Sequence, residues 1–317
     1  MKKIVKGLGI AAGVIAGLAL AGSVGMGGFV AGKILNMNEG ADTHDNSLKQ
    51  LEVWSYDIDG FNAAYQGTDV EAVAEDGNKV PGTFFDQEGD KCVILVHGAG
   101  GDRVCIYPLA EGYLKDGYDV IAIDQRGCGS NPDPHVTFGI NEALDVKAMV
   151  KYAREELGSS EVIVHGQSMG AQTTAIYAAS VKAGESDAAD AVICDSPVPG
   201  MELILREMFG EDMGGMDSAP VNFLIGTSKL YMKVFNHIDY DDADTIAIAS
   251  NIEIPVMIIA SNKDEVCLPD QVKLIYDNIA SENKELLCVD SAHIEGIIDD
   301  PEGYMNSVES FLQDKGL

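Results

Sequence analysis

A serine flanked by glycines stands in the segment Glu161-Val-Ile-Val-His165-Gly166-Gln167-Ser168-Met169-Gly170-Ala171, a G-x-S-x-G pattern suited to nucleophilic chemistry. The β-branched run before it reads as a strand, and the uncharged stretch from Ser168 to Val181 reads as a buried helix. A sharp turn between them forces the serine into a strained conformation, and Gly166 and Gly170 leave room for neighbouring backbone. Ser168 would then project from the carboxyl end of a sheet, at the amino terminus of a helix whose dipole favours developing negative charge.

A serine hydroxyl is a weak nucleophile until a base takes its proton, and that base needs a carboxylate to hold its tautomer. With this motif the chain order is serine, acid, histidine. Of the six histidines only His237 and His293 follow Ser168. His293 sits just past a strand candidate in Asp290-Ser-Ala-His293, whereas His237 lies in the polar, surface-like stretch Asn236-His-Ile-Asp-Tyr-Asp-Asp. His293 is therefore the expected base. The expected acid is Asp264, in the loop that follows the apolar run Ile254-Pro-Val-Met-Ile-Ile-Ala. Asp195, ending Ala191-Val-Ile-Cys-Asp195, is the alternative, and Glu265 a more distant one. An oxyanion would need backbone donors. The amide of Met169 is one expected donor, and the other is the amide of Ala99 in the glycine-rich turn His97-Gly98-Ala99-Gly100-Gly101. The same turn could cradle a phosphate, but the Lys-Ser/Thr pair of a P-loop is missing.

Eight short β-branched runs separated by longer helical stretches are expected to position these groups: 69–74, 79–85, 92–96, 119–123, 161–165, 191–194, 256–260 and 285–289. Gly77-Asn78 fits a tight hairpin between the first two. Val146, Met149, Val150, Ala153 and Leu157 mark one face of a helix between the fourth and fifth. The pattern is α/β, a mostly parallel eight-stranded sheet with helices on both faces. It divides the chain into an amino-terminal apolar segment at 1–35, a polar tether at 36–66 and one domain at 67–317. A small cap is expected at about 196–254, between strands six and seven. Five of the twelve methionines fall in that insert, which suits an adaptable apolar lid over an acyl or alkyl pocket.

From about residue 70 to the end, the chain resembles the α/β-hydrolase superfamily, and within it the bacterial esterase and serine-aminopeptidase-like branch. Besides the serine motif, the resemblance rests on Val96-His97-Gly98, on Asp124-Gln-Arg126-Gly127-Cys128-Gly129-Ser130, on Pro255 with Asp264 and Pro269, and on Ala292-His293. It implies that Ser168, Asp264 and His293 act as a triad and that the Asp124–Ser130 segment shapes the wall of the site. Cys128 stands where the resemblance leads to a histidine. The implied reaction is hydrolysis of a carboxylic ester of a small or apolar acyl substrate through an acyl-enzyme. The same three residues would equally serve a peptidase, a thioesterase or an acyltransferase, and a non-catalytic membrane-anchored scaffold is the alternative of another class.

With 51 acidic and 21 basic residues, the net charge of −30 disfavours nucleic acid and anionic substrates. Nothing calls for a cofactor or metal: the six cysteines include no C-x-x-C pair and no histidine at ligand spacing. Cys92, Cys194 and Cys288 fall in or beside apolar runs as small buried residues, while Cys105, Cys128 and Cys267 fall in loops where pairing is open. Lys2, Lys3 and Lys6 precede an uncharged run from Gly7 to Gly32, about 39 Å long as a helix and thus long enough for a bilayer of about 30 Å. The expectation is a single-pass anchor in the lipid bilayer through residues 7–32, with a cytoplasmic amino terminus and the hydrolase outside; secretion after cleavage at Ala19-Leu20-Ala21 is the alternative. Gly9, Gly13 and Gly17 share one helix face and could support a homodimer in the membrane.

Overall fold

A computed structural model describes residues 22–317. Its sheet has eight strands: β1 Thr68–Val73, β2 Lys79–Phe85, β3 Lys91–Val96, β4 Asp119–Ile123, β5 Glu161–Gln167, β6 Ala191–Asp195, β7 Val256–Ser261 and β8 Lys284–Val289. Each of the eight expected runs is a strand, with bounds within two residues of those expected. The order is β1-β2-β4-β3-β5-β6-β7-β8, with β2 antiparallel to β1 and to β4 and every other pair parallel. A parallel sheet covered on both faces has strands apolar throughout, and β4, β6 and β7 are buried at every position.

The helices are α1 over residues 22–35, α2 Thr43–Val53, α3 Ile58–Ala64, α4 Tyr107–Lys115, α5 Glu142–Tyr152, α6 Met169–Ser180, α7 Met201–Met213, α8 Ala219–Tyr231, α9 Thr245–Ile248, α10 Pro269–Asn278, α11 Gly296–Asp299 and α12 Pro301–Asp314. On one face of the sheet, Tyr113 and Leu114 of α4 and Tyr304, Val308 and Phe311 of α12 pack on alternate strand residues, among them Val93, Leu95, Ile163 and Ile193. Helices α5 and α6 pack against each other, and α6 lies on β5 and β6. Of the expected face, Val146, Met149, Val150 and Ala153 are buried and Leu157 is half-buried.

The chain divides into two compact units. One contains Asn36–Met201 and Asp241–Leu317, and so holds the whole sheet. The described part of the other contains residues 22–35 with Glu202–Tyr240, the larger part of the insert between β6 and β7. Within it Met232 is buried and Met208 is exposed.

Two expectations are corrected here. Residues 36–66 do not form a bare tether: Asp42 caps α2 through the Asp45 amide, Asp57 caps α3 through the Gly60 amide, and Leu51 and Phe61 are buried. The expected single-pass location, with its signal anchor, is also overturned, since among the described residues no helix is long and apolar enough to cross a membrane. The described end of the apolar run belongs to α1, one face of which meets α8 while Val24, Met26 and Phe29 are exposed. A Cβ at Gly27 would lie 2.4 Å from the Thr227 carbonyl oxygen, and one at Gly28 2.8 Å from the Tyr231 ring. The rest of the proposed bilayer segment, the cleavage site and the Gly9, Gly13, Gly17 face lie outside the described residues.

Candidate active site

The turn from β5 into α6 places Ser168. Ser168 has φ 57° and ψ −119°, a region that costs a non-glycine residue on the order of 1–3 kcal/mol. Its surroundings tolerate no bulk: a Cβ on Gly166 would sit 2.2 Å from the Gly170 carbonyl oxygen, and one on Gly170 2.0 Å from that of Val96. The Ser168 amide donates to the Asp195 carbonyl oxygen (2.9 Å), which fixes the turn against the end of β6.

Ser168 Oγ lies 2.8 Å from His293 Nε2, and His293 Nδ1 lies 2.7 Å from Asp264 Oδ2. An ionised carboxylate only accepts, so Nδ1 carries the proton and Nε2 accepts from the serine hydroxyl. The other oxygen of Asp264 accepts from the amides of Val266 and Cys267, each at 2.8 Å. Burial works against ionisation of Asp264, but the hydrogen bond and charge of His293 together with those two amides outweigh it and hold the carboxyl below its ordinary range. The three residues thus meet although they are drawn from three separate strand ends. His237 is exposed in the other unit, and Glu265 is exposed in the Asp264 loop.

Asp195, the alternative acid of the sequence reading, sits behind Ser168. Its carboxylate accepts from Gln167 Nε2 (3.1 Å) and the Tyr304 hydroxyl (2.9 Å), and burial pushes its pKa up. The same tyrosine and Tyr113 hold the ring of buried His165, at 3.1 and 2.9 Å.

The loop after β3 runs past the serine: a Cβ on Gly98 would lie 3.2 Å from Ser168 Cβ. Buried His97 supports it. Its Nε2 accepts from the Gln125 amide (3.1 Å), which places the proton on Nδ1, 2.6 Å from the Gly98 carbonyl oxygen, and burial lowers its pKa. Ala99 follows in this loop and is exposed, and Met169 opens α6, where the first amides have no intrahelical acceptor.

The Asp124–Ser130 wall is built from buried charge. Arg126 pairs with Asp145 through two hydrogen bonds of 2.7 and 3.0 Å and reaches Asp76 at 2.7 Å. Asp124 accepts from the amides of Arg103 (2.9 Å) and Ser130 (2.8 Å). Cys128 is buried and, like Cys105, is free, with burial pushing each thiol up to about 12. Cys267 is buried, whereas Cys288, expected inside, is exposed because β8 is the half-covered edge strand.

Mostly parallel sheet, strand-end residues and tight elbow together decide the architecture. The fold is that of the α/β hydrolases. The sequence profile of the α/β hydrolase fold matches residues 91–217. The solved esterase Pf2001 of Pyrococcus furiosus is 26% identical with a TM-score of 0.64, over 82% of this chain and 96% of that one. Thermostable monoacylglycerol lipase of Bacillus sp. (strain H-257) is 25% identical over 251 residues, 74% of this chain and 95% of the lipase. Uncharacterized protein YqkD of Bacillus subtilis is 22% identical over 280 residues, 85% of this chain and 83% of that protein.

Proposed function

We propose that this α/β hydrolase cleaves carboxylic esters of small or apolar acyl groups through an acyl-enzyme on Ser168. The observation that carries the reading is the continuous hydrogen-bonded line from Ser168 Oγ through His293 to Asp264. Ser168 Oγ attacks the ester carbonyl as His293 Nε2 takes its proton, and Asp264 holds the ring and stabilises the imidazolium. The amides of Ala99 and Met169 receive the oxyanion. On collapse, His293 returns the proton to the departing alkoxide. Water then attacks the acyl-serine, giving its proton to His293, and the acid leaves as Ser168 regains its hydrogen. An esterase and a monoacylglycerol lipase among the similar proteins support ester over amide as the bond cleaved. A surface of net charge −30 favours neutral substrates. The test is a panel of p-nitrophenyl esters of rising acyl length with wild type and Ser168→Ala. Saturable turnover of neutral short or medium esters, lost in the variant, is the expected result. Turnover of peptides or thioesters but no simple ester would overturn the assignment.

A further inference from the structure

The chain from Asn38 to Trp54 touches three loops around the site. Asn38 Nδ2 donates to the Gly127 carbonyl oxygen (3.1 Å) and lies 3.2 Å from Cys128 Sγ, and Thr43 Oγ1 accepts from the Gly129 amide (2.9 Å). Trp54 Nε1 donates to Glu295 Oε1 at 3.0 Å, two residues beyond His293. The densest set falls on the loop that carries the Ala99 amide. Ser47 Oγ accepts from the Asp102 amide (2.7 Å) while donating to the Thr43 carbonyl oxygen (3.1 Å), and Asn46 Nδ2 donates to the Gly100 carbonyl oxygen (3.0 Å). His44 Nδ1 meets Asp102 Oδ2 at 2.8 Å. Helix and loop are in close contact, since a Cβ on Gly101 would come within 3.0 Å of Ser47 Oγ.

We propose that Ser47 and Asn46 are positioning residues for acyl transfer, holding the loop after β3 so that the Ala99 amide faces the oxyanion formed at Ser168. The proposal rests on the serine-hydrolase reading above. The loop is anchored on its strand side by His97 bonded to Gln125, and between Ala99 and Asp102 it is held by Asn46 and Ser47 of α2, besides the Cys128 thiol at the Gly100 backbone and the Cys105 amide on the Asp102 carbonyl oxygen; Ser47 is 1% exposed. Without the Ser47 hydroxyl the Asp102 amide loses its acceptor, and the loop is freed to relax where a displacement of about 1 Å already weakens transition-state binding. Such an effect falls on the transition state rather than on substrate affinity.

The test measures kcat, KM and the fluorophosphonate labelling rate for full-length wild type, Ser47→Ala, Ser47→Thr and Asn46→Ala, with Ser168→Ala as the unlabelled control. Circular dichroism and thermal melting report folding. Ser47→Ala is expected to lose about tenfold in kcat and in labelling rate with KM within about twofold, a fraction of the loss seen when an oxyanion donor is removed outright. Ser47→Thr, which keeps the hydroxyl, restores most of it. Asn46→Ala, at an exposed position, stays folded and loses a smaller factor in the same sense. A labelled wild type beside folded Ser47→Ala and Asn46→Ala variants of wild-type rate would overturn this proposal alone, as would a loss confined to KM or one that threonine does not rescue. A folded wild type that takes no label would overturn it together with the serine-hydrolase reading.

Discussion

At Ser168 the chain accepts φ 57° because neighbouring residues leave it no relaxed choice. Gly170→Ala would drive a methyl group to within 2.0 Å of the Val96 carbonyl oxygen, so it should cost about 3 kcal/mol in urea unfolding and remove fluorophosphonate reactivity. Asp264→Asn tests the relay: with the wrong histidine tautomer favoured, kcat should fall by roughly 10³–10⁴ while the fold persists. Both glycines of the turn and the three side chains that meet there were legible in the sequence, because strand-end signals are local: a motif, a strand and the residue just past it. Less legible were Asp195 and Cys288. Asp195 ends a buried strand as an acid should, yet its Oδ1 accepts from Ser196 and its Oδ2 from Gln167 and from Tyr304, a partner 109 residues away. Cys288 lies in an apolar run, and only its place on edge strand β8 explains its exposure.

Helices α2 and α3 escaped sequence reading for a physical reason. The inward positions of α2 are Thr43, Ser47 and Leu51, spaced by four, so two of the three are polar and no apolar stripe marks the helix. Their hydroxyls bond loop amides, which is why polar residues face inward there. Phe61 of α3 packs edge-on against Phe85 of β2 and lies against Tyr107. Phe61→Ala should therefore destabilise the protein by about 3–4 kcal/mol in denaturant unfolding, a cost no free tether would show. Strand β5 is tied to α4 and α12 by His165, whose pKa burial lowers to about 3. Unfolded, it titrates near 6.5, so between these values the unfolded chain binds the extra proton and stability falls as pH drops, by at most about 1.4 kcal/mol per pH unit. His165→Gln should flatten that part of the stability profile measured by urea midpoints from pH 7 to 4.

For the whole molecule, the regular alternation of strands and helices made the eight-stranded sheet readable, since each strand carries its own burial pattern. The apolar amino terminus misled because hydropathy alone does not distinguish a segment facing lipid from one facing protein, and the described part of that run packs on Tyr231. The charge of −30 acts at this scale too. Hemisuccinate esters should show lower kcat/KM than neutral esters of similar size, and the gap should narrow as ionic strength rises from about 0.01 to 1 M and the screening length shrinks from about 30 to 3 Å. Everything proposed for this hydrolase depends on an activated serine. The direct measurement is fluorophosphonate labelling of the full-length protein with the adduct located by peptide mass spectrometry: the account predicts one adduct, on Ser168, absent from Ser168→Ala and strongly slowed in His293→Ala. A folded wild type without label, or with label elsewhere, would contradict it.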